Sequence, residues 1–197
     1  MRESREQVEA SVKARFSRIA LAPSSERVFP VGSSSAKKLG YPASEVDSFP
    51  SQVSDSFSGV GNPFSLGDLN PGDTVIDLGC GAGFDCFLAA ARVGGNGRVM
   101  GVDFTPEMIA KALSNAQLLR ATNVEFVASR ADRLPAPNRS IDVLLSNGVF
   151  NLCIDKPVVA KEMARVLRAG GRLQMADIVL ESHVTAAEVA AKGEWSD

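Results

Sequence analysis

The chain has 197 residues, 45% of them hydrophobic, enough for one domain with a real core and perhaps an appended segment, but not for two full domains. Lys and Arg number 21 against 23 acidic residues, a net charge of −2, with no run of five basic residues, so a nucleic-acid footprint is not supported. The charged start "MRESREQVEA" is unlike a signal peptide, and no apolar run reaches the roughly 18 residues that cross a bilayer; a soluble, cytoplasmic protein without membrane partners is expected. Cys80, Cys86 and Cys153 form no CxxC pair, and the one histidine, His183, reads as a surface residue, so neither a disulfide scaffold nor a metal site is expected.

In chain order, residues 2 to 21 place Val8, Val12, Phe16 and Ile19 on one side of a helix, to be packed on the domain or held as a lid over a ligand site. Residues 22 to 72 hold most of the ten prolines and many serines, predicting loops and short helices such as one near 44 to 48. From Asp73 the pattern changes. "TVIDL" (74 to 78), "RVMGVD" (98 to 103), "VEFVA" (124 to 128), "IDVLLS" (141 to 146) and "RLQMAD" (172 to 177) are short apolar or β-branched runs of strand length. Helices are predicted between them. One spans about Phe84 to Val93, another opens at Thr105 as N-cap with Pro106 following, and a third opens near Asp155 and Pro157 and ends at Gly170 and Gly171. Strand alternating with helix implies parallel strands joined by crossovers: an α/β fold, Rossmann-like, with an open, mostly parallel sheet and helices on both faces.

The stretch "VIDLGCGAGFD" (75 to 85) stands at the carboxyl end of the first strand, where ligands bind in such sheets. Gly79, Gly81 and Gly83 permit a tight turn and close approach of a ligand to the backbone, and amides at the following helix start favour an anion. A dinucleotide fingerprint would need glycine where Phe84 stands, so the GxGxG pattern disfavours a pyrophosphate and a nicotinamide enzyme. Asp103, at the end of the second strand, can accept two hydrogen bonds from a ribose diol. Asp132, in "SRADRL", can accept from an adenine amino group, with Phe104 and Leu134 flanking the ring. Asp77, an acid inside an apolar strand, needs a partner, and a cationic ligand carrying an amino group beside a sulfonium supplies one.

"VIDLGCGAGFD", then "GVDFTPEMIAKA", "LPAPNRSIDVLLSNGVFNL" and "EMARVLRAGGRL", resemble the class I methyltransferases that use S-adenosylmethionine, over about residues 60 to 180. The resemblance implies S-adenosylmethionine as cofactor and a small-molecule methyl acceptor. The cofactor would be held by the loop with Gly79, Cys80, Gly81 and Gly83, its ribose on Asp103 near Phe104 and Met108, and its adenine near Ala131 and Asp132. Its methyl would point toward Asn147, Gly148 and Val149. "LGYPASEVDSFP", "GVGNPFSLGDL" and "SNGVFNL" look like the arsenite methyltransferase branch. There, cysteine thiolates hold the arsenic, but this chain has Val60 and Gly148 at two of those places, and Cys80, Cys86 and Cys153 do not substitute. The apolar Phe64, Val149 and Phe150 would suit a small, soft acceptor, and Asp177 is the one candidate general base.

The same resemblance divides the chain into an N-terminal helical and loop segment, residues 1 to 60, and a methyltransferase core, 61 to 197, expected short at its C-terminal end by the last two strands. A reading frame continuing past residue 197, through a UGA read as selenocysteine at codon 198, is one version of that expectation. A non-catalytic module that binds S-adenosylmethionine is the rival functional reading.

Overall fold

The computed structural model describes residues 4–26, 30–179 and 183–184. The segment "EVAAKGEWSD" and anything about the chain end therefore lie outside the described residues, as do Arg2 and Glu3 of the predicted first helix.

Helix α1 (Arg5–Leu21) starts where the sequence allows it to. Ser4 accepts from the amide of Gln7, and the Gln7 side chain accepts from the amide of Ser4, a capping box that satisfies two otherwise unpaired donors. Its apolar stripe is buried through Val8, Val12 and Ile19. Short helices α2 (Ser33–Lys38), α3 (Ala43–Val46) and α4 (Ser51–Ser54) occupy the proline-rich region. The sheet follows: β1 (Thr74–Leu78), β2 (Arg98–Asp103), β3 (Val124–Ala128), β4 (Ile141–Asn147) and β5 (Leu167–Ala176), alternating with α5 (Phe84–Val93), α6 (Pro106–Leu119) and α7 (Lys156–Val166).

The strand order is β3-β2-β1-β4-β5 and every pairing is parallel, giving the expected open α/β sheet. The winding reverses between β1 and β4, and that reversal opens a crevice above their carboxyl ends. One face of the sheet, Val75, Val99, Val143 and Leu145, packs with α5 and with Tyr41, Val46, Val53 and Phe57. The other, Ile76, Leu78, Val102 and Leu144, packs with α7 through Val159, Met163 and Val166. Phe84, first residue of α5, meets Tyr41, Phe49 and Phe57 edge-on with centroids 5.5, 6.0 and 5.1 Å away. Such pairs contribute about 0.5–1.5 kcal/mol each beyond burial. They lock residues 41 to 57 onto the start of α5.

Two local expectations need correction. The third helix ends at Val166, not at Gly170 and Gly171; those glycines lie inside β5, where the register against β4 slips between Ile141 and Val143. Gly170, at φ +79°, supplies the left-handed step of that irregularity. Thr105 is the N-cap of α6 by position, but its side chain makes no capping bond. His183 is exposed. Among the described residues, no helix is long and apolar enough to cross a membrane.

Candidate functional site: a cleft at the carboxyl edge of the sheet

Beyond Leu78 the chain turns sharply. The amides of Gly79 and Cys80 donate to the Val102 carbonyl at 2.7 and 3.1 Å, pinning the turn to β2. Gly79, Gly81 and Gly83 all have positive φ. A Cβ at Gly79 would stand 2.1 Å from Cγ2 of Val149, so glycine is what lets the turn and the segment after β4 approach each other.

Asp77 pairs in register with Gly101, which puts Asp103 two residues further along β2 on the same side of the sheet. The Asp103 carboxylate is fixed by two amides: Gly81 donates to Oδ2 at 3.0 Å and Thr105 to Oδ1 at 2.8 Å. Burial raises its pKa, and those two amides pull it back. An immobilised carboxylate with lone pairs left over is suited to gripping a diol.

A cavity of about 140 Å³ runs from this point, lined by Gly79, Gly81, Asp103, Phe104, Thr105 and Met108 on one side. Ala131, Asp132, Asn147, Gly148 and Val149 line it too. A second cavity of about 40 Å³ lies behind the turn, lined by Asp77, Cys80 and Asp85 with Ser58 and Gly59. Gly79, Gly81 and Asn147 border both, so the two meet at the glycine turn.

Of the residues anticipated for the cofactor, Gly83 and Leu134 line neither cavity. The missing Cβ of Gly83 would fall 2.8 Å from Phe126 and 2.9 Å from Phe87, so this glycine serves the packing of α5 on the sheet. Leu134 is buried in the core beneath the cleft and does not flank a ring site. Phe64 is buried with the Arg92 guanidinium 4.0 Å above its ring, and Phe150 packs on the core; neither lines the cleft. Asp177 accepts from the amides of Asn151 and Ile178, stabilising the turn Phe150–Leu152, and does not line the cleft either.

Three further features shape the site. The first is Asp85, the second residue of α5, 7% exposed, whose Oδ1 accepts from the Tyr41 hydroxyl at 2.7 Å and Oδ2 from the Asn147 amide at 3.1 Å. Asp85 stands out in the sequence beside Asp77 and the three glycines, although an acid in a helix's first turn also reads as ordinary dipole complement. The second is Asn147 as a brace: its Oδ1 accepts from the amides of Val60 and Gly61, at 2.8 and 3.2 Å, tying residues 60 and 61 to the end of β4. The third is α1, which walls the larger cavity with Arg5, Val8, Glu9, Val12 and Phe16. Arg5 reaches Asp132 at 3.1 Å, and Arg130 bonds both Glu9 oxygens at 2.8 and 2.9 Å. Arg130 first and Arg5 second hold the Glu9 carboxyl down at about 2.

Val60 and Gly148 stand opposite each other: a Cβ on Gly148 would meet Val60 Cγ1 at 3.0 Å. Cys153 lines the cleft, its thiol pushed up to about 11 by burial, and Cys80 is likewise raised to about 11. Both thiols are neutral at ordinary pH.

A family model described as a methyltransferase domain matches residues 69–196. Over 146 residues the chain is 47% identical to an arsenite methyltransferase of Halobacterium salinarum, covering 74% of this chain and 37% of that one. It is 38% identical over 111 residues to the chloroplastic 2-phytyl-1,4-beta-naphthoquinone methyltransferase of Arabidopsis thaliana, covering 54% and 42%. The crystal structure of an arsenic(III) S-adenosylmethionine methyltransferase from Chlamydomonas reinhardtii superposes with a TM-score of 0.57 at 31% identity, covering 76% and 50%. The chain thus spans between 30% and 42% of the length of these and similar curated relatives. With a parallel sheet of this order, a glycine turn at its switch point and an amide-anchored acid ending β2, the chain belongs to the methyltransferase-domain family.

Proposed function

We propose that the protein is an S-adenosylmethionine-dependent methyltransferase acting on a small molecule. The observation that carries the reading is the pair of carboxylate stations either side of the glycine turn: Asp77 with Asp85 in the smaller cavity, Asp103 in the larger. A cationic amino-acid head with an adenosyl group behind it matches that layout in charge and order. The cradle also fits sterically at Gly81, where nothing but the Met108 sulfur, at 3.8 Å, lies within 4 Å of the missing Cβ. Asp103 would hold the ribose, Asp132 the adenine amino group, and Phe104, Met108 and Val149 the faces of the ring.

Bound there, S-adenosylmethionine supplies an electrophilic methyl, and what the chain must add is mostly positioning. The Asn147 brace fixes Val60 and Gly61 over the end of β4, forming a rigid apolar floor. No carboxylate acts as base on the acceptor in this reading, since Asp177 is engaged in its own turn and Cys153 is protonated. The acceptor therefore brings its own lone pair. With Val60 and Gly148 where thiols would hold arsenic, an apolar acceptor that enters already deprotonated, such as a quinolate ring that has given its proton to solvent, suits the site better than arsenite.

Cytoplasmic residence belongs to the same proposal, as does a lid role for α1. The N-terminal half of α1 walls the cavity of about 140 Å³, so its outward movement would widen the entry for an adenosyl group. The test is calorimetric titration with S-adenosylmethionine and S-adenosylhomocysteine, followed by methyl-transfer assays on naphthoquinols, arsenite and small thiols. Binding with turnover on a quinol supports the reading. Binding without turnover on any acceptor favours the non-catalytic module, and absence of binding refutes the cofactor.

A further inference from the structure

We propose that Asp77 and Asp85 hold one proton between them in the ligand-free protein and release it to solvent when the ammonium head of the ligand enters their chamber. This rests on the cofactor reading above and adds to it a proton linkage in recognition.

The geometry is that of two carboxylates without a cation. Both line one cavity of about 40 Å³, and they are 2% and 7% exposed. Neither takes part in any ion pair among the described residues. From α5, the Cys86 thiol donates to Asp77 Oδ2 at 3.2 Å. From the loop before α3, Tyr41 donates to Asp85, and from β4 so does Asn147. The Asn147 amide nitrogen is also 3.0 Å from the Gly61 carbonyl and 3.1 Å from the Tyr41 oxygen. Two amide protons cannot serve three acceptors at once, so this network is one donor short. The donors on Asp85 favour its ionised form, so the proton sits first on Asp77, whose carboxyl takes one hydrogen bond among the described residues, from the Cys86 thiol.

The remaining charged and titratable neighbours do not neutralise the pair. Arg92, also on α5, is spent on Glu45 at 2.8 Å and on the Phe64 ring, and acts on Asp85 only at a distance. Asp103, from β2, adds negative charge. Cys80, Cys86 and Tyr41 are all raised, chiefly by burial, and stay protonated. Burial and then the charge of Asp85 push Asp77 well above the ordinary carboxylate value; burial pushes Asp85 to about 6 against the pull of Tyr41, Asn147 and Arg92. Two like charges buried in one chamber disfavour each other's ionisation in the absence of a counter-ion. A cavity of that volume accommodates a group the size of water, which is also the size of an ammonium. When the ammonium arrives, the proton becomes the redundant positive charge, and it leaves to the buffer.

The experiment is isothermal titration of the full chain with S-adenosylmethionine at pH 6.5, where the ligand's own amine is fully protonated, in phosphate and in imidazole. These buffers differ strongly in heat of ionisation, so the difference in observed heat counts the protons released. The expected result is between about a half and one proton released per ligand, with affinity weakening up to about tenfold per pH unit as the pair becomes protonated. In Asp85→Asn, which keeps the shape and an acceptor for Tyr41, the release at pH 6.5 is smaller than in wild type, because Asp77 loses the Asp85 charge, the second of the causes that raise it after burial. Equal heats in the two buffers with measurable affinity would overturn the linkage and leave the cofactor reading intact. Wild-type release that persists unchanged in a folded Asp85→Asn would move the proton to another group and overturn it too. Absence of any binding heat would bring down the cofactor reading and this inference with it.

Discussion

The two ends of the cleft use the same residue type in opposite ways. At one end Asp77 and Asp85 are buried, bonded only to neutral donors, and raised above the ordinary carboxylate value chiefly by burial. At the other, Glu9 and Asp132 are partly exposed, bridged by Arg5 and Arg130, and driven below the ordinary carboxylate values, chiefly by their bonds to Arg130. Charge is incomplete at the first end and over-satisfied at the second. The first end is built to receive a cation; the second must break ion pairs of its own before Asp132 can meet a ligand. Asp103 stands between them, fixed by backbone amides and committed to neither.

Substitutions can separate these behaviours. The largest effect is expected from Asp103→Ala, which removes both acceptors for a diol. At roughly 1.5–3 kcal/mol per charge-assisted bond, cofactor affinity should fall at least about tenfold in titration calorimetry. Unchanged affinity in a folded variant would remove the ribose assignment. Next comes Gly79→Ala, at φ +71° with Val149 in the way of the new Cβ. A loss of about 1–3 kcal/mol in chemical denaturation is expected, with weaker ligand binding as Val149 is pushed into the cleft.

Asp85→Asn tests the incomplete end through stability. Asp85 titrates at about 6 in the fold against 3.8 for a free carboxyl, so the folded state binds more protons between those values and stability falls as pH rises through that window. The variant should therefore gain thermal stability over wild type at pH 8, on the order of 1–3 kcal/mol, and little or none at pH 4. A gain that does not depend on pH would argue against ionisation of this carboxyl. The smallest effect belongs to the other end. Glu9→Gln leaves Arg130 with one strong partner fewer and should cost below about 1 kcal/mol, because the pair is partly exposed and screened. If α1 is the lid, the same change speeds ligand association in stopped flow at low salt and loses its effect at high salt. Association rates insensitive to both would place the entry path elsewhere.

What could be read in the residue order was what local physics decides. Strand runs such as "TVIDL" and "VEFVA" and Pro106 at a helix start depend on neighbours within a few positions, and all formed where anticipated. The parallel order followed from alternation, and the ligand edge from the glycine turn. What only the tertiary structure decided involves partners far apart in the chain. Gly83 proved to be a packing glycine because Phe126 sits behind it; "VLRAGG" joined β5 because β4 offered a strand edge to pair with. Asp85 became half of a charged pair because an aromatic cluster brought Tyr41 to it, and α1 became a wall of the cleft because Asp132 and Arg130 were within its reach. Burial and partner distance set the charge of a carboxylate, and neither is a property of the carboxylate's own stretch of sequence.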